Sequence, residues 1–234
     1  MKMKKVWEIF PNLAETIRLE AENTGSRGTA HDFLHDLTVG QYCLLISDED
    51  EDTGLDAAAA GLCHSTDRRF PEETEVQLSG RIAGHLRKEA GFSTQRINWV
   101  LGLVFDHHKP NGHNDNPDLQ ILKDADRLAN LGLPALIRCA QFYHTLPTFD
   151  VRYVGKPDPK ATYKNPLTVL HDVRSALEWD PQEGKTQFCL RLPKAIELAT
   201  PYFDWLRLGI ALAEQQVVKT RMREFPFSAV PAAL

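Results

Sequence analysis

The chain has 234 residues, of which 42% are hydrophobic and 25% charged, and its formal net charge is -5. This composition excludes intrinsic disorder and collagen-like repeats, and the length allows roughly 70% of the unfolded surface to be buried without disulfide staples. The mild acidity argues against a protein drawn to nucleic acid or anionic lipid by its overall field. Nine histidines stand out, because imidazole is the commonest metal ligand and titrates near neutral pH.

Apolar residues recur at helical spacing along the chain, and runs of alternating β-branched residues are absent, which predicts an all-α fold. We predict a single domain over 1–234, with a helical core over about 28–140 and a helical extension over about 148–234 packed on that core. Glycine, proline and polar residues mark the expected helix ends. The predicted helices cover residues 11–23, 31–47, 55–65, 72–90, 93–108, 117–129, 132–145, 166–179 and 194–219.

The sequence also bears on the compartment. Its first ten residues reach Glu8 before any apolar run of signal-peptide length, and no stretch approaches the ~20 apolar residues that span a bilayer. The four cysteines are scattered without C-x-x-C spacing, which is typical of reduced thiols. We therefore expect a cytoplasmic protein.

The first candidate motif is the stretch HDFLH at 31–35. It places His31 and His35 one helical turn apart on the same face, with Asp32 beside them. This spacing suits metal ligands, although two histidines on one face are as often a surface coincidence. It also imitates the H-E-x-x-H pattern of zinc peptidases, but Asp32 is shorter than the general-base glutamate, which makes that interpretation remote.

Two further segments contribute candidate ligands. The run AAAAGLCH at 57–64 carries His64 into the interior, where a neutral imidazole needs a hydrogen-bond or metal partner. In the segment ILKDADRLA at 121–129, Asp124 shares a helical face with Leu128 and is expected to point inward. A buried carboxylate requires a cation, so a positive charge or a metal is expected to meet Asp124.

With these segments in this order, residues 28–140 resemble the HD-domain superfamily of metal-dependent phosphohydrolases. The likeness is to its small bacterial members, which have a His-Asp-aromatic-x-His opening and a late Asp-Ala-Asp-Arg-Leu segment. The resemblance implies an HD-domain-like helical bundle with additional C-terminal helices. It further implies that His35 is the first metal ligand, that His64 is the histidine of the His-Asp doublet, and that Asp124 is the late aspartate.

One position departs from the family pattern. Ser65 stands where the family has the aspartate of the doublet, and Thr38 stands where many relatives have arginine. Loss of the carboxylate is expected to weaken binding of a divalent ion. Asp67 is the local candidate to replace it, as a metal ligand with a catalytic role. A salt bridge from Asp67 to Arg68 or Arg69, or a cap for the segment that follows, is the alternative.

Two imidazoles with one or two carboxylates suit Mn, Fe, Ni, Co or Zn better than Ca or Mg. An open position on such an ion activates water and polarises a phosphoryl oxygen. We therefore expect a metal-dependent phosphohydrolase that acts on a small phosphorylated compound, with nucleotides among the candidates. The alternative is a degenerate HD domain that binds a nucleotide or a protein partner without turnover. No nucleic acid polymer or membrane partner is expected, and a homo-oligomer is left open.

Other polar residues are predicted to face the pocket. His107 and His108 end a predicted helix, and adjacent helical residues point about 100° apart, so one of them is expected to face the site. His107 is favoured, with a catalytic role, and simple capping of the helix end is the alternative. For the predicted cations Lys123, Arg127 and Arg68, the alternative is a solvated charge or a structural ion pair. The predicted substrate-binding residues are His31, Asp32, His108, Lys123, Arg127 and Arg68.

Overall fold

Helices form the secondary structure of the chain, as the all-α prediction requires. The computed structural model describes residues 4–25, 32–47, 53–162, 164–183 and 187–224, and within these ranges there is one isolated β-bridge and no strand. Single 3-10 turns follow the last two α-helices. The α-helices are α1 (Val6–Ile9), α2 (Pro11–Asn23), α3 (Phe33–Ile46), α4 (Thr53–Cys63), α5 (Thr66–Arg69), α6 (Glu75–Glu89), α7 (Thr94–Asp106), α8 (Pro117–Ala129), α9 (Gly132–Phe142), α10 (Val169–Ser175) and α11 (Pro193–Lys219).

All nine predicted helices are present, and α2 and α8 begin and end at the predicted residues. Both begin with proline, which is favoured in the first turn because its missing N–H has no partner there. Asn116 adds a side-chain cap to α8 by accepting a hydrogen bond from the Leu119 amide at 2.8 Å. The short helices α1 and α5 were not predicted, because four residues carry no readable period.

Helix α4 lies at the centre of the fold. It packs against α3, α7 and α8, and α3 also packs against α8. The four alanines at 57–60 are fully buried, so this helix is apolar on every side that a neighbour covers. Small side chains here allow several helices to approach α4 at once, which brings the loop after its C-terminal end close to α3 and α8.

Two glycines make the contact between α3 and α4 close. A Cβ atom on Gly61 would lie 2.9 Å from the Gly40 amide nitrogen, and one on Gly40 would lie 3.2 Å from the Ala58 carbonyl oxygen. The obstacle at Gly61 is backbone, which cannot rotate out of the way as a side chain can. The two helices therefore pack at a separation that only glycine permits.

The C-terminal helices pack on this core, as predicted. Phe203, Leu206 and Ile210 of α11 belong to the same apolar cluster as α2, α3, α4 and α8. A smaller cluster of Val151, Val154 and Val217 fixes the irregular segment after α9 against the end of α11. Among the described residues, no helix is both long enough and apolar enough to cross a membrane.

The glycine contact yields a test with a matched control. Replacing Gly61 by alanine should lower the free energy of unfolding by about 2 kcal/mol, because the new methyl group overlaps backbone. Gly80, exposed within α6 with open space around it, is the control. Its replacement by alanine should raise stability by about 0.5–1 kcal/mol through helix propensity. Urea unfolding measures both changes, and equal stability of the Gly61→Ala protein and the wild type would contradict the close contact.

Candidate metal centre

Three side chains from separate parts of the chain converge beside the central helix. Nε2 of His35, on α3, lies 3.1 Å from Nε2 of His64, which follows α4. Oδ1 of Asp126, on α8, lies 3.3 Å from His35 Nε2 and 3.6 Å from His64 Nε2. Both histidines are buried, whereas the Asp126 side chain is 25% exposed. Together they form a group that can hold a metal ion and that opens to solvent on the Asp126 side.

The protonation of His64 suits a metal ligand. Its Nδ1 lies 2.7 Å from the Gly61 carbonyl oxygen, so Nδ1 donates its proton there and Nε2 keeps a lone pair. Burial lowers the pKa of His64 and outweighs the opposite effect of the Asp36 and Asp126 carboxylates. The ring is therefore neutral at pH 7, which is the form that binds metals.

Asp126 is ionised in this setting. Burial alone would raise its pKa, but the hydrogen bond from His35 and the imidazoles of His64 and His107 hold the pKa of Asp126 well below its usual range. The group therefore combines a carboxylate with two imidazole nitrogens. Hydrogen bonding to the charged form is what permits a carboxylate among buried rings.

The spacing of the three donor atoms fits a transition-metal ion. Metal–nitrogen and metal–oxygen bonds of about 2.0–2.2 Å put neighbouring ligand atoms about 2.8–3.6 Å apart in octahedral or tetrahedral geometry. The three observed separations of 3.1, 3.3 and 3.6 Å fall in this range. A bound ion would take the place of the proton that His35 Nε2 donates to Asp126 in this structure.

A buried ionic network supports His64 from behind. Oδ1 of Asp36 lies 3.4 Å from His64 Nδ1, and Asp36 also accepts a hydrogen bond from Arg69. Arg69 donates a second hydrogen bond to Thr66 Oγ1 at 3.1 Å, and Thr66 Oγ1 donates to the Cys63 carbonyl at 2.7 Å. These contacts fix the plane of the His64 ring. Asp36 was not among the predicted site residues, although an acid inside the helix that carries His35 was a usable signal.

Ser65 follows His64 directly, at the position where the sequence resemblance leads us to expect a carboxylate. Its hydroxyl lies 3.2 Å from His64 Nε2 and donates to the lone pair there. Asp67, the predicted replacement, has a side chain that is 52% exposed and lies 3.5 Å from Arg68. It is not among the converging donor atoms. Asp67 therefore forms an exposed salt bridge with Arg68, which is the alternative that the sequence left open.

The position of Asp124 corrects the predicted set of converging residues. Its Oδ2 accepts hydrogen bonds from the amides of Arg191 and Leu192, both at 2.8 Å, and its Oδ1 lies 3.3 Å from Arg127 Nη1. Burial raises the pKa of Asp124, against the lowering effect of the two amides. Residues two apart on a helix point about 200° away from each other, so Asp124 and Asp126 face opposite sides of α8. Asp126, not Asp124, lies beside the histidines.

Lys123 and Arg127 likewise hold chain segments together instead of lining the centre. The Lys123 ammonium is buried and donates to the Pro110 carbonyl at 2.9 Å and to Asp115 at 3.0 Å. Arg127 contacts Asp124 and the Cys189 carbonyl, the latter at 3.5 Å. Both cations were predicted to bind substrate. Each instead forms a structural ion pair with an aspartate, which was the alternative for them.

His107 lies against the metal centre, and His108 lies further out. The His107 ring packs edge-on against His64 with centroids 5.3 Å apart, and its Nδ1 donates to the Val104 carbonyl at 2.6 Å. Burial and the neighbouring His64 lower the pKa of His107. His108 is exposed, with its ring 5.7 Å from that of His107. Of these two neighbours, His107 is the one in contact with the centre.

Asp32, another of the predicted residues, lies at the beginning of α3. Asp32 caps this helix, because its Oδ1 accepts a hydrogen bond from the His35 amide at 2.8 Å. Asp32 thus positions the turn that carries His35. His31 lies outside the described residues.

Comparisons with known proteins place the fold but not the activity. No family model and no curated protein matches the chain. A protein of Lactobacillus plantarum, solved in a structural genomics programme, is similar with a TM-score of 0.64 and 11% identity, over 93% of this chain and 100% of the other. YpgQ of Bacillus subtilis, solved in complex with ADP, is similar with a TM-score of 0.52 and 15% identity, over 91% and 98% of the two chains. At these identities the likeness establishes a shared helical fold.

Proposed function

We propose that this protein is a metal-dependent phosphohydrolase of the HD-domain superfamily that acts on a small phosphorylated compound such as a nucleotide. The observation that carries the proposal is the convergence of His35 Nε2, His64 Nε2 and Asp126 Oδ1 at metal-ligand spacing. The order of the motifs in the sequence supports it. So does the ADP bound to the structurally similar YpgQ, as a sign of what this fold accommodates.

The donor set favours Mn, Fe, Co, Ni or Zn over the oxygen-seeking Ca and Mg. When bound, such an ion lowers the pKa of a coordinated water and polarises a phosphoryl oxygen. Imidazole ligands are neutral, so Asp126 is the single negative ligand of this group. A divalent ion held by these three residues keeps a net positive charge, which favours an anionic phosphate ligand.

His107 is positioned to handle a proton. Its Nδ1 carries the proton that is donated to Val104, so Nε2 is the nitrogen that accepts one. The lowered pKa of His107 keeps the ring neutral at pH 7, as a general base requires. The buried rings of His35 and His64 limit water on the protein side of the reaction, whereas the Asp126 side is open to substrate.

Ser65 favours a second candidate, a domain that binds a nucleotide or a protein partner without turnover. Its hydroxyl lies beside His64 Nε2 in place of a second carboxylate. A hydroxyl contributes no negative charge, so metal would be held less tightly than at a two-carboxylate site. The two candidates share the metal group and differ in whether product forms.

The experiment that decides between them uses purified protein stripped of metal and reloaded with Mn, Fe, Co, Ni or Zn in turn. We expect one or more of these ions to support hydrolysis of p-nitrophenyl phosphate or of members of a nucleotide panel, with activity lost on chelation. Binding of Mn²⁺ and ADP in calorimetry without any product would favour the second candidate. Absence of both metal binding and turnover would refute the proposal.

Matched substitutions on α8 test which aspartate serves the metal. Asp126→Ala should abolish measurable Mn²⁺ binding in calorimetry, because it removes the one carboxylate of the group. Asp124→Ala should keep Mn²⁺ affinity and lower the free energy of unfolding by about 3 kcal/mol, because two partly buried amides and Arg127 lose their acceptor. The opposite pattern would return the ligand role to Asp124.

Ser65→Asp tests the effect of the missing carboxylate. It should tighten Mn²⁺ binding at least about tenfold, because a second negative oxygen is added beside His64. Ser65→Asn introduces a side chain of almost the same volume as aspartate but without its charge. It should leave the Mn²⁺ affinity at or below that of the wild type. Isothermal calorimetry measures both, and equal gains from the two variants would show that charge is not the cause.

A further inference from the structure

Arg138, on α9, is a half-buried cation that neither the sequence analysis nor the proposed mechanism uses. Its Nη2 donates to the Ala129 carbonyl oxygen at 2.6 Å. Its Nε is buried and has no hydrogen-bond partner among the described residues. A guanidinium offers five N–H donors, and leaving a buried one unpaired is costly, so this side chain has donor capacity to spare.

Arg138 contacts the helix that carries Asp126. Ala129, which holds the guanidinium, lies one helical turn beyond Asp126 on α8. The carboxylates of Asp32 and Asp126 both raise the pKa of Arg138, against the lowering effect of burial, so both act on it electrostatically. Asp32 in turn caps the helix that carries His35. Arg138 therefore contacts the C-terminal turn of α8, the helix that carries Asp126.

Neither carboxylate is committed to Arg138. Asp32 accepts the His35 amide at 2.8 Å, and Asp126 belongs to the metal group. The other buried arginines of this region differ, because Arg69 is paired with Asp36 and Arg127 with Asp124. A half-buried guanidinium without a close carboxylate partner among the described residues is suited to an anionic ligand. Guanidinium matches phosphate oxygens through its fork of donors.

We infer that Arg138 binds the phosphate group of the substrate at the edge of the metal centre, through the N–H donors of its guanidinium. This inference rests on the proposed function, because it needs a phosphorylated ligand at the centre. It goes beyond that proposal by naming the cation that recognises the ligand. Among the four cations considered, it assigns to Arg138 the role that sequence analysis gave to Lys123, Arg127 and Arg68.

The first test is calorimetric titration of Mn²⁺-loaded protein with ADP and with inorganic phosphate. Arg138→Gln should weaken binding of both about tenfold or more, and should leave Mn²⁺ affinity within about twofold of the wild type. Arg138→Lys should recover part of the loss, because it restores the charge without the fork. Arg152→Gln, which removes an equal charge from an exposed pair with Asp150, is the control and should change neither affinity.

Unchanged ADP and phosphate affinity in Arg138→Gln would overturn the inference and leave the proposed function standing. Failure of the wild-type protein to bind Mn²⁺ or ADP would count against the proposed function, and would overturn the inference with it.

A second measurement avoids dependence on the stability of the glutamine variant. In Zn²⁺-loaded protein labelled with ¹⁵N-arginine, the Arg138 Nε–H resonance is identified by its absence in Arg138→Lys. Titration with ADP should shift this resonance and saturate at the calorimetric dissociation constant. A purely structural arginine would not respond in this way, so a resonance that stays in place through saturation would overturn the inference.

Discussion

The close contact of α3 and α4 is the constraint on which the centre depends. Gly61 faces the Gly40 backbone at a distance that no side chain permits. His35 lies on one of these helices and His64 immediately follows the other, so the glycine pair sets the 3.1 Å separation of their Nε2 atoms. The Gly61 carbonyl also accepts the proton of His64 Nδ1. Gly61 thus allows the close approach of α3 and α4, and its carbonyl also orients the His64 ring.

Helix α8 connects the centre to the C-terminal part of the chain. Asp126 turns one face of this helix toward the two histidines, and Asp124 turns the opposite face toward the amides that precede α11. Any shift of α8 about its axis would disturb both sets of contacts at once. The C-terminal helix therefore contributes to the position of the metal-group carboxylate without contacting that group.

Much of the fold and part of the centre could be predicted from sequence. Periodicity and end signals located the nine longer helices, because each has an apolar face and a recognisable start or stop. His35 and His64 followed from motif spacing. The choice between Asp124 and Asp126 could not follow, because the deciding partners, the amides of Arg191 and Leu192, lie far along the chain. The buried pairing of Lys123 with Asp115 was hidden for the same reason, since it depends on a loop geometry without a sequence period.

The distribution of charge links the departure at Ser65 to the proposed ligand. Asp36 lies behind His64, but Arg69 balances its charge within the same buried network. Among the described residues that converge there, Asp126 is therefore the negative group, and Ser65 contributes a neutral hydroxyl. A second carboxylate would hold a divalent ion more tightly and would also cancel its remaining positive charge. With serine in that place, the proposed site would hold a divalent ion less tightly and would leave more of its positive charge for the proposed phosphate ligand.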